Sequence, residues 1–138
     1  MDSKAKYEYW KEISDYDLKT AEAMYNSGRY LYVAFMCQQS IEKLVKGIYV
    51  LHYDIEAPRT HNIWLIISKL LDDQYFIKDQ VDYLLDNKIY FADLLYYYIS
   101  ERYPTYKERI SSRIDKEKAF QIVSKTKEVF SCLISQYK

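Results

Sequence analysis

The chain has 138 residues, of which 49% are hydrophobic and 29% are charged, and its formal net charge at pH 7 is zero. A chain of this length suits one compact domain, so we expect residues 1–138 to form a single unit. The zero net charge excludes a uniform basic field of the kind that coats nucleic acid. Because the sequence has only two glycines and two prolines, we expect a few long elements joined by short loops.

Apolar residues at helical spacing predict a first helix over residues 5–27, and Gly28 is expected to end it. A second helix then starts near Tyr30. Its apolar residues recur every three or four positions from Ala34 to Leu51, which is the spacing of a helix-bundle seam. Two long helices joined at one glycine are expected to pack as an antiparallel pair.

The segment "HYDIEAPRTHNIW" interrupts this pattern, since Pro58 disfavours a helical residue before it. Either Thr60 or Asn62 can cap a short helix that follows. Residues 77–100 keep helical spacing, and the pattern allows one helix or two with a break near Asn87.

A second interruption is centred on Pro104, and Asp115 can cap the final helix. No stretch shows sustained period-two alternation. The sequence therefore predicts an all-α fold, an up-and-down four-helix bundle with one short extra helix.

Several kinds of site lack the residues that they need. Two glycines cannot form a phosphate loop, and neither His52 nor His61 has a partner at metal-ligand spacing. Cys37 and Cys132 lie inside apolar patterns, so we expect both to be small core residues. We predict no metal site, no cofactor and no catalytic residue.

The N-terminal segment "MDSKAKYEYW" lacks the apolar core of a signal peptide. No window approaches the roughly 20 apolar residues that span a bilayer. We therefore expect a cytoplasmic protein that does not contact membranes.

The second helix also carries a polar face. If the apolar seam points inward, its polar neighbours point largely the other way, namely Gln39, Glu42, Lys43 and Lys46. This would be a solvated face with a Glu42–Lys46 pair worth about 0.3 kcal/mol. The alternative is a surface that binds a ligand. Gln38 lies at the edge of the seam, and a buried amide needs partners, so Gln38 is expected to tie helices together.

Both interruptions carry cations. In "PRTHNI", Arg59 and His61 lie at the start of a helix, where free amides and the helix dipole favour an anion. A cap with a hydrogen-bonded histidine would give the same pattern. The segment "ERYPTYKER" interleaves cations with tyrosines, which can hold a phosphate and stack a base, although a charged turn would look the same.

Together these segments resemble the HEPN family, whose name refers to nucleotide-binding domains of higher eukaryotes and prokaryotes. The matching segments are "DYDLKTAEAMYNSGRYLYVAFMCQQSIEKLVKG", "PRTHNI" and "RYP", which span most of the chain. The matched positions are Asp17, Leu18, Ala21, Gln38, Gln39, Ser40, Glu42, Lys43, Lys46, Thr60, His61, Asn62, Ile63, Arg102, Tyr103 and Pro104.

The resemblance implies a helical bundle that commonly forms a homodimer and binds nucleotides or RNA. It also implies a toxin–antitoxin-like pairing with a minimal nucleotidyltransferase. Phosphate contacts are expected from Lys43, Lys46, His61 and Arg102. Positioning roles are expected for Gln38, Glu42, Thr60, Tyr103 and Pro104.

The sequence departs from the family's ribonuclease members, in which an arginine precedes a histidine by a gap of four to six residues. Arg102 matches the arginine, but Lys107, Glu108 and Arg109 stand where the histidine is expected. Imidazole-based cleavage has no residue at that site. We therefore predict a non-catalytic nucleotide- or RNA-binding and protein-interaction module. The alternatives are a metal-independent endoribonuclease that uses Arg102 with His61, and a purely structural dimerisation module.

Overall fold

The structure is a computed structural model, and it describes residues 1–102 and 114–135. These two ranges contain six helices and no strand, which confirms the predicted all-α bundle. The helices are α1 (Ser3–Asn26), α2 (Tyr30–Tyr53), α3 (Ile63–Asp72), α4 (Lys78–Asp86), α5 (Lys88–Arg102) and α6 (Lys116–Ile134). The sequence predicts one short extra helix, whereas the described residues contain two, α3 and α4.

Local signals in the sequence set the ends of α1. The carboxylate of Asp2 accepts the backbone N–H of Ala5 at the start of the helix. At the other end, Gly28 has a φ of +74°, and the N–H of Arg29 donates to the carbonyl of Met24 over 2.8 Å. This arrangement is a Schellman motif, which needs a left-handed residue and so favours glycine. The prediction that Gly28 ends the first helix is confirmed.

The other helix ends follow the same chemistry. Thr60 Oγ1 accepts the N–H of Asn62, and the Asn62 side chain makes no capping bond, so Thr60 provides the side-chain oxygen before α3. Asn87 separates α4 from α5, with its backbone and its side-chain amide both bonded to the last turn of α4. Asp115 accepts the N–H of Lys118, which confirms its predicted capping role.

Helix α2 lies at the centre of the bundle, because α1, α3, α5 and α6 all pack against it. Its buried positions therefore cover more than one face of the helix. The contact with α1 is especially close at Gly47, where an added β-carbon would lie 2.7 Å from the β-carbon of Trp10. Beside it, Ser14 and Ser40 exchange hydroxyl-to-carbonyl hydrogen bonds of 2.6 and 2.8 Å. This packing brings polar α2 side chains into the interior.

The two cysteines differ in burial. Cys37 is fully buried, and desolvation raises the pKa of its thiol to about 12. Cys132 is only half-buried, so the prediction of a core residue is confirmed for Cys37 and is correct only in part for Cys132. As for membranes, the described helices include none with the length and apolar character that a bilayer crossing requires.

Candidate functional site

Glu42, on the polar face of α2, is a buried carboxylate with three side-chain donors. Its side chain is 7% exposed. Its Oε1 accepts from Gln38 Nε2 at 2.8 Å and lies 2.9 Å from His61 Nδ1, and its Oε2 accepts from Lys46 Nζ at 3.0 Å. We call these four residues the Glu42 network. The interpretation of this face as solvated is wrong for Glu42, because α2 is packed on several sides and the loop before α3 brings His61 across it.

Gln38 is fully buried, as the requirement for amide partners led us to expect. Its amide nitrogen donates to Glu42, and its oxygen accepts from Gln39 Nε2 at 2.6 Å. These partners both belong to α2. The prediction that Gln38 itself ties helices together is therefore wrong in detail, since the connection beyond α2 passes through Glu42 to His61.

A second ion pair joins α1 to α2. Lys43 Nζ donates to Asp17 Oδ2 over 2.6 Å, and the Asp17 side chain is 9% exposed. Asp17 belongs to the segment that resembles the family's first helix. Lys43 and Lys46, which we predicted as phosphate contacts, thus each hold a carboxylate on their own chain.

His61, which precedes α3, and Arg102, which ends α5, both contact the ring of Tyr98 on α5. The rings of His61 and Tyr98 stack with centroids 4.1 Å apart and an interplanar angle of 22°. The guanidinium carbon of Arg102 lies 5.4 Å from the centroid of the same tyrosine ring. We call His61, Tyr98 and Arg102 the Tyr98 junction. Phe35 also stacks with Tyr98, at 6.3 Å and 18°, which fixes the plane of the ring from the α2 side.

The hydrogen bond to Glu42 determines how His61 presents its ring. A carboxylate only accepts hydrogen bonds, so the proton between the two groups lies on His61 Nδ1. In the part of the chain that the structure describes, the other ring nitrogen, Nε2, has no hydrogen-bond partner, and the His61 side chain is 49% exposed. A neutral ring offers an acceptor at Nε2, and a protonated ring offers a donor.

Arg102 ends α5 and is exposed. Among the side chains that the structure describes, which exclude that of Glu101, no carboxylate lies within ion-pair distance of it. Its fork of donors can bind a phosphate at two oxygens, while its guanidinium carbon lies over the tyrosine ring.

Tyr98 fits the helical spacing of residues 77–100, and its ring is almost fully buried. The sequence does place Tyr98 four residues before Arg102 on one helix, and residues with this spacing lie on the same helix face. This spacing is the signal from which the contact between them could be predicted. Tyr103 and Pro104 lie outside the described residues, as do Lys107, Glu108 and Arg109. The ligand-binding roles of the four predicted cations stay predictions.

The described part of the chain shows no group of three or more histidine, cysteine, aspartate or glutamate residues placed to hold a metal ion. The Glu42 network and the Tyr98 junction offer hydrogen bonding and positive charge, while the Tyr98 ring itself is 9% exposed and stacks with His61 and Phe35. This is chemistry that can bind a phosphate.

Comparison with known proteins gives three findings. A family model described as HEPN domain matches residues 7–136. No curated protein matches the chain. Among solved structures, TT1696 from Thermus thermophilus superposes with a TM-score of 0.71 at 17% identity, over 95% of this chain and 98% of that one. ST0689, described as an archaeal HEPN homologue, superposes with a TM-score of 0.68 at 22% identity, over 96% of this chain and 98% of that one.

Proposed function

The chain belongs to the HEPN domain family, and from that membership we propose that it is a non-catalytic module that binds a nucleotide or RNA at the Tyr98 junction. The observation that supports this most strongly is the meeting of His61 and Arg102 on one tyrosine ring. An exposed guanidinium and a half-exposed imidazole suit the oxygens of a phosphate group.

The proposal narrows the set of phosphate contacts that the sequence suggested. Lys43 and Lys46 are each held by a carboxylate, at 2.6 and 3.0 Å, whereas Arg102 has no such partner among the described residues. His61 is bonded to Glu42 through Nδ1 and keeps Nε2 for a ligand. The binding proposal therefore depends on His61 and Arg102.

Fluorescence anisotropy with a labelled single-stranded RNA, together with thermal shift with ATP, tests the proposal. We expect Arg102→Gln and His61→Gln each to weaken binding about tenfold, the size of one charge-assisted contact. Lys69→Gln is the control, since Lys69 is a half-exposed cation at the end of α3 that pairs with Asp73 and takes no part in the junction. The absence of binding to any nucleotide or RNA would remove the binding part of the proposal.

The non-catalytic part of the proposal comes from the residues at positions 107–109, where ribonuclease members of the family carry histidine and this chain does not. With a single imidazole at the junction, the general base and the general acid of RNA cleavage cannot both be histidines. His61 Nε2 could take the proton of a ribose 2′-hydroxyl as its oxygen attacks the phosphorus. The leaving 5′-oxygen would then need a proton from a second acid, and positions 107–109 carry no imidazole to supply it.

The same junction supports a second candidate, a metal-independent endoribonuclease, because Glu42 orients His61 as a base beside Arg102. Gel electrophoresis of RNA with and without chelator decides between the two. Chelator-resistant cleavage that His61→Ala abolishes would favour the enzyme, and RNA that stays intact at high protein concentration would favour the binding module.

We propose further that residues 1–138 form one domain that dimerises. Helix α5 supports this, since it carries apolar residues on its buried face and also exposes Ile89, Tyr96 and Ile99 at helical spacing. Exposed apolar stripes of this kind commonly mark interfaces, and tyrosine is favoured there. Light scattering should give a dimer in wild type and a monomer in Tyr96→Lys. A wild-type monomer would remove the homodimer from the proposal.

Pairing with a minimal nucleotidyltransferase completes the proposal, and family membership is its support. Mixing the two purified proteins and measuring complex formation by size exclusion tests it. If the chain dimerises but binds no nucleotide, RNA or nucleotidyltransferase, the structural dimerisation module is the remaining function.

A further inference from the structure

We infer that the Tyr98 junction binds one phosphate group of a nucleotide unit, and not a triphosphate, because Asp17 and Glu42 act as internal counter-ions to Lys43 and Lys46. The inference rests on the proposed function and specifies its ligand class. A single phosphate can come from a phosphodiester in RNA or from a nucleoside monophosphate, and the experiment below separates these two sources.

Lys46 forms a buried ion pair with Glu42. The two charged groups are 3.0 Å apart, and their side chains are only 13% and 7% exposed. If Lys46 turned to a ligand, it would leave a buried carboxylate with hydrogen bonds from Gln38 and His61 but without its cation. Removing one partner from a buried ion pair is strongly unfavourable. The positive charge of Lys46 is therefore used inside the protein.

Lys43 forms a similar ion pair with Asp17. The 2.6 Å bond joins α2 to α1, and the carboxylate is almost fully buried. If Lys43 bound a ligand instead, the contact between α1 and α2 would be lost and the buried carboxylate of Asp17 would have no cation beside it. Two of the four predicted phosphate contacts are thus neutralised by residues of the same chain.

Among the described residues, what remains for a ligand at the junction is the guanidinium of Arg102 and the Nε2 edge of His61. One guanidinium fork matches the oxygens of one phosphate. A protonated His61 would add one further donor at the junction. Among the described residues, the cluster carries three unit positive charges from Lys43, Lys46 and Arg102 against two negative charges from Asp17 and Glu42. The net charge of +1 neutralises one negative charge, and a protonated His61 would neutralise a second, whereas a triphosphate carries more charge than these described residues neutralise.

The inference is tested by isothermal titration of the full chain with AMP, the dinucleotide ApA and ATP. We expect ATP to bind less than about threefold more tightly than AMP, because among the described residues of the junction its additional phosphates meet no unpaired cation. Tighter binding of ApA would identify a phosphodiester as the source, and tighter binding of AMP would identify a monoester. ATP binding more than about tenfold tighter than both would overturn the inference while leaving the proposed function intact. Binding of none of the three, nor of a labelled RNA octamer, would overturn both.

The salt dependence of RNA binding gives an independent count of phosphate contacts. The logarithm of the affinity for a single strand falls by about 0.7 per contacted phosphate for each unit of log salt concentration. We therefore expect a slope between about −0.7 and −1.4, for one or two contacts. A slope steeper than about −2.5, which corresponds to more than about three contacted phosphates, would contradict the inference.

Two variants that alter the Lys43–Asp17 ion pair complete the test. Asp17→Asn keeps the shape of the side chain but frees the charge of Lys43, so the preference for ATP over AMP should rise by about fivefold. Lys43→Gln removes the same cation without freeing a charge, and RNA affinity should change by less than about twofold. If Asp17→Asn does not fold, as circular dichroism would show, Lys43→Gln decides alone. A loss of about tenfold in this variant would place Lys43 on the ligand and overturn the inference.

Discussion

Glu42→Gln tests whether the polar face of α2 is a buried network or a solvated surface. The substitution keeps the length of the side chain and removes its charge. Lys46 would then lie without a counter-ion in a site where its side chain is 13% exposed, and His61 and Gln38 would face an amide in place of a carboxylate. The expected result is a large loss of stability with little change in fold.

The magnitude follows from the burial of the pair. Removing one partner of a buried ion pair costs about 3–5 kcal/mol, and an exposed helical pair costs about 0.3–0.5 kcal/mol. Because Lys46 keeps some access to water and glutamine still offers one acceptor oxygen, we expect a loss of about 2–4 kcal/mol. For a domain of this size the melting temperature should fall by roughly 10 °C.

Urea denaturation at 25 °C, followed by circular dichroism, measures the free energy of unfolding. Glu12→Gln is the matched control, since Glu12 is an exposed glutamate on α1, and its change should stay within about 0.5 kcal/mol. Lys46→Met combined with Glu42→Gln should be less destabilised than the sum of the two single variants, because the uncompensated ammonium is gone. A Glu42→Gln protein as stable as the control would refute the buried network.

Two further predictions concern packing and thiol burial. Gly47→Ala should lower the free energy of unfolding by about 1–2 kcal/mol in the same assay, because the new β-carbon meets the rigid β-carbon of Trp10 at 2.7 Å. An increase of about 1 kcal/mol, as helix propensity alone predicts, would contradict the close contact. In thiol labelling at pH 8, Cys132 should react in the native state, whereas Cys37 should react only on unfolding because its pKa is raised to about 12 by burial. Equal native rates for the two thiols would contradict this.

The sequence predicted the features that local chemistry controls. Gly28 and Asp115 end and begin helices by backbone geometry and capping, which neighbouring residues determine. The sequence allows either one helix or two around Asn87, because apolar spacing continues on both sides of it. The capping bonds from Asn87 to the last turn of α4 show where that helix ends.

The sequence did not predict the burial of Glu42 or the role of Tyr98. Periodicity identifies one apolar face, so it assigns the other residues of a helix to water. Helix α2 is enclosed by four other helices, and the loop carrying His61 covers part of its polar face. Tyr98 fits the apolar pattern of α5, and its contact with His61 joins residues that lie 37 positions apart in the chain. Such long-range contacts leave no local pattern.

The most direct test of a ligand site at the Tyr98 junction is an NMR titration of the histidine side chains with single-stranded RNA. The chain contains only two histidines. His52 serves as an internal reference, because it lies against Tyr53 and Tyr75 at the end of α2 and has no part in the junction. We predict that the ring resonances of His61 shift as RNA is added while those of His52 stay in place. Unchanged His61 resonances at saturating RNA, or shifts confined to His52, would contradict the account.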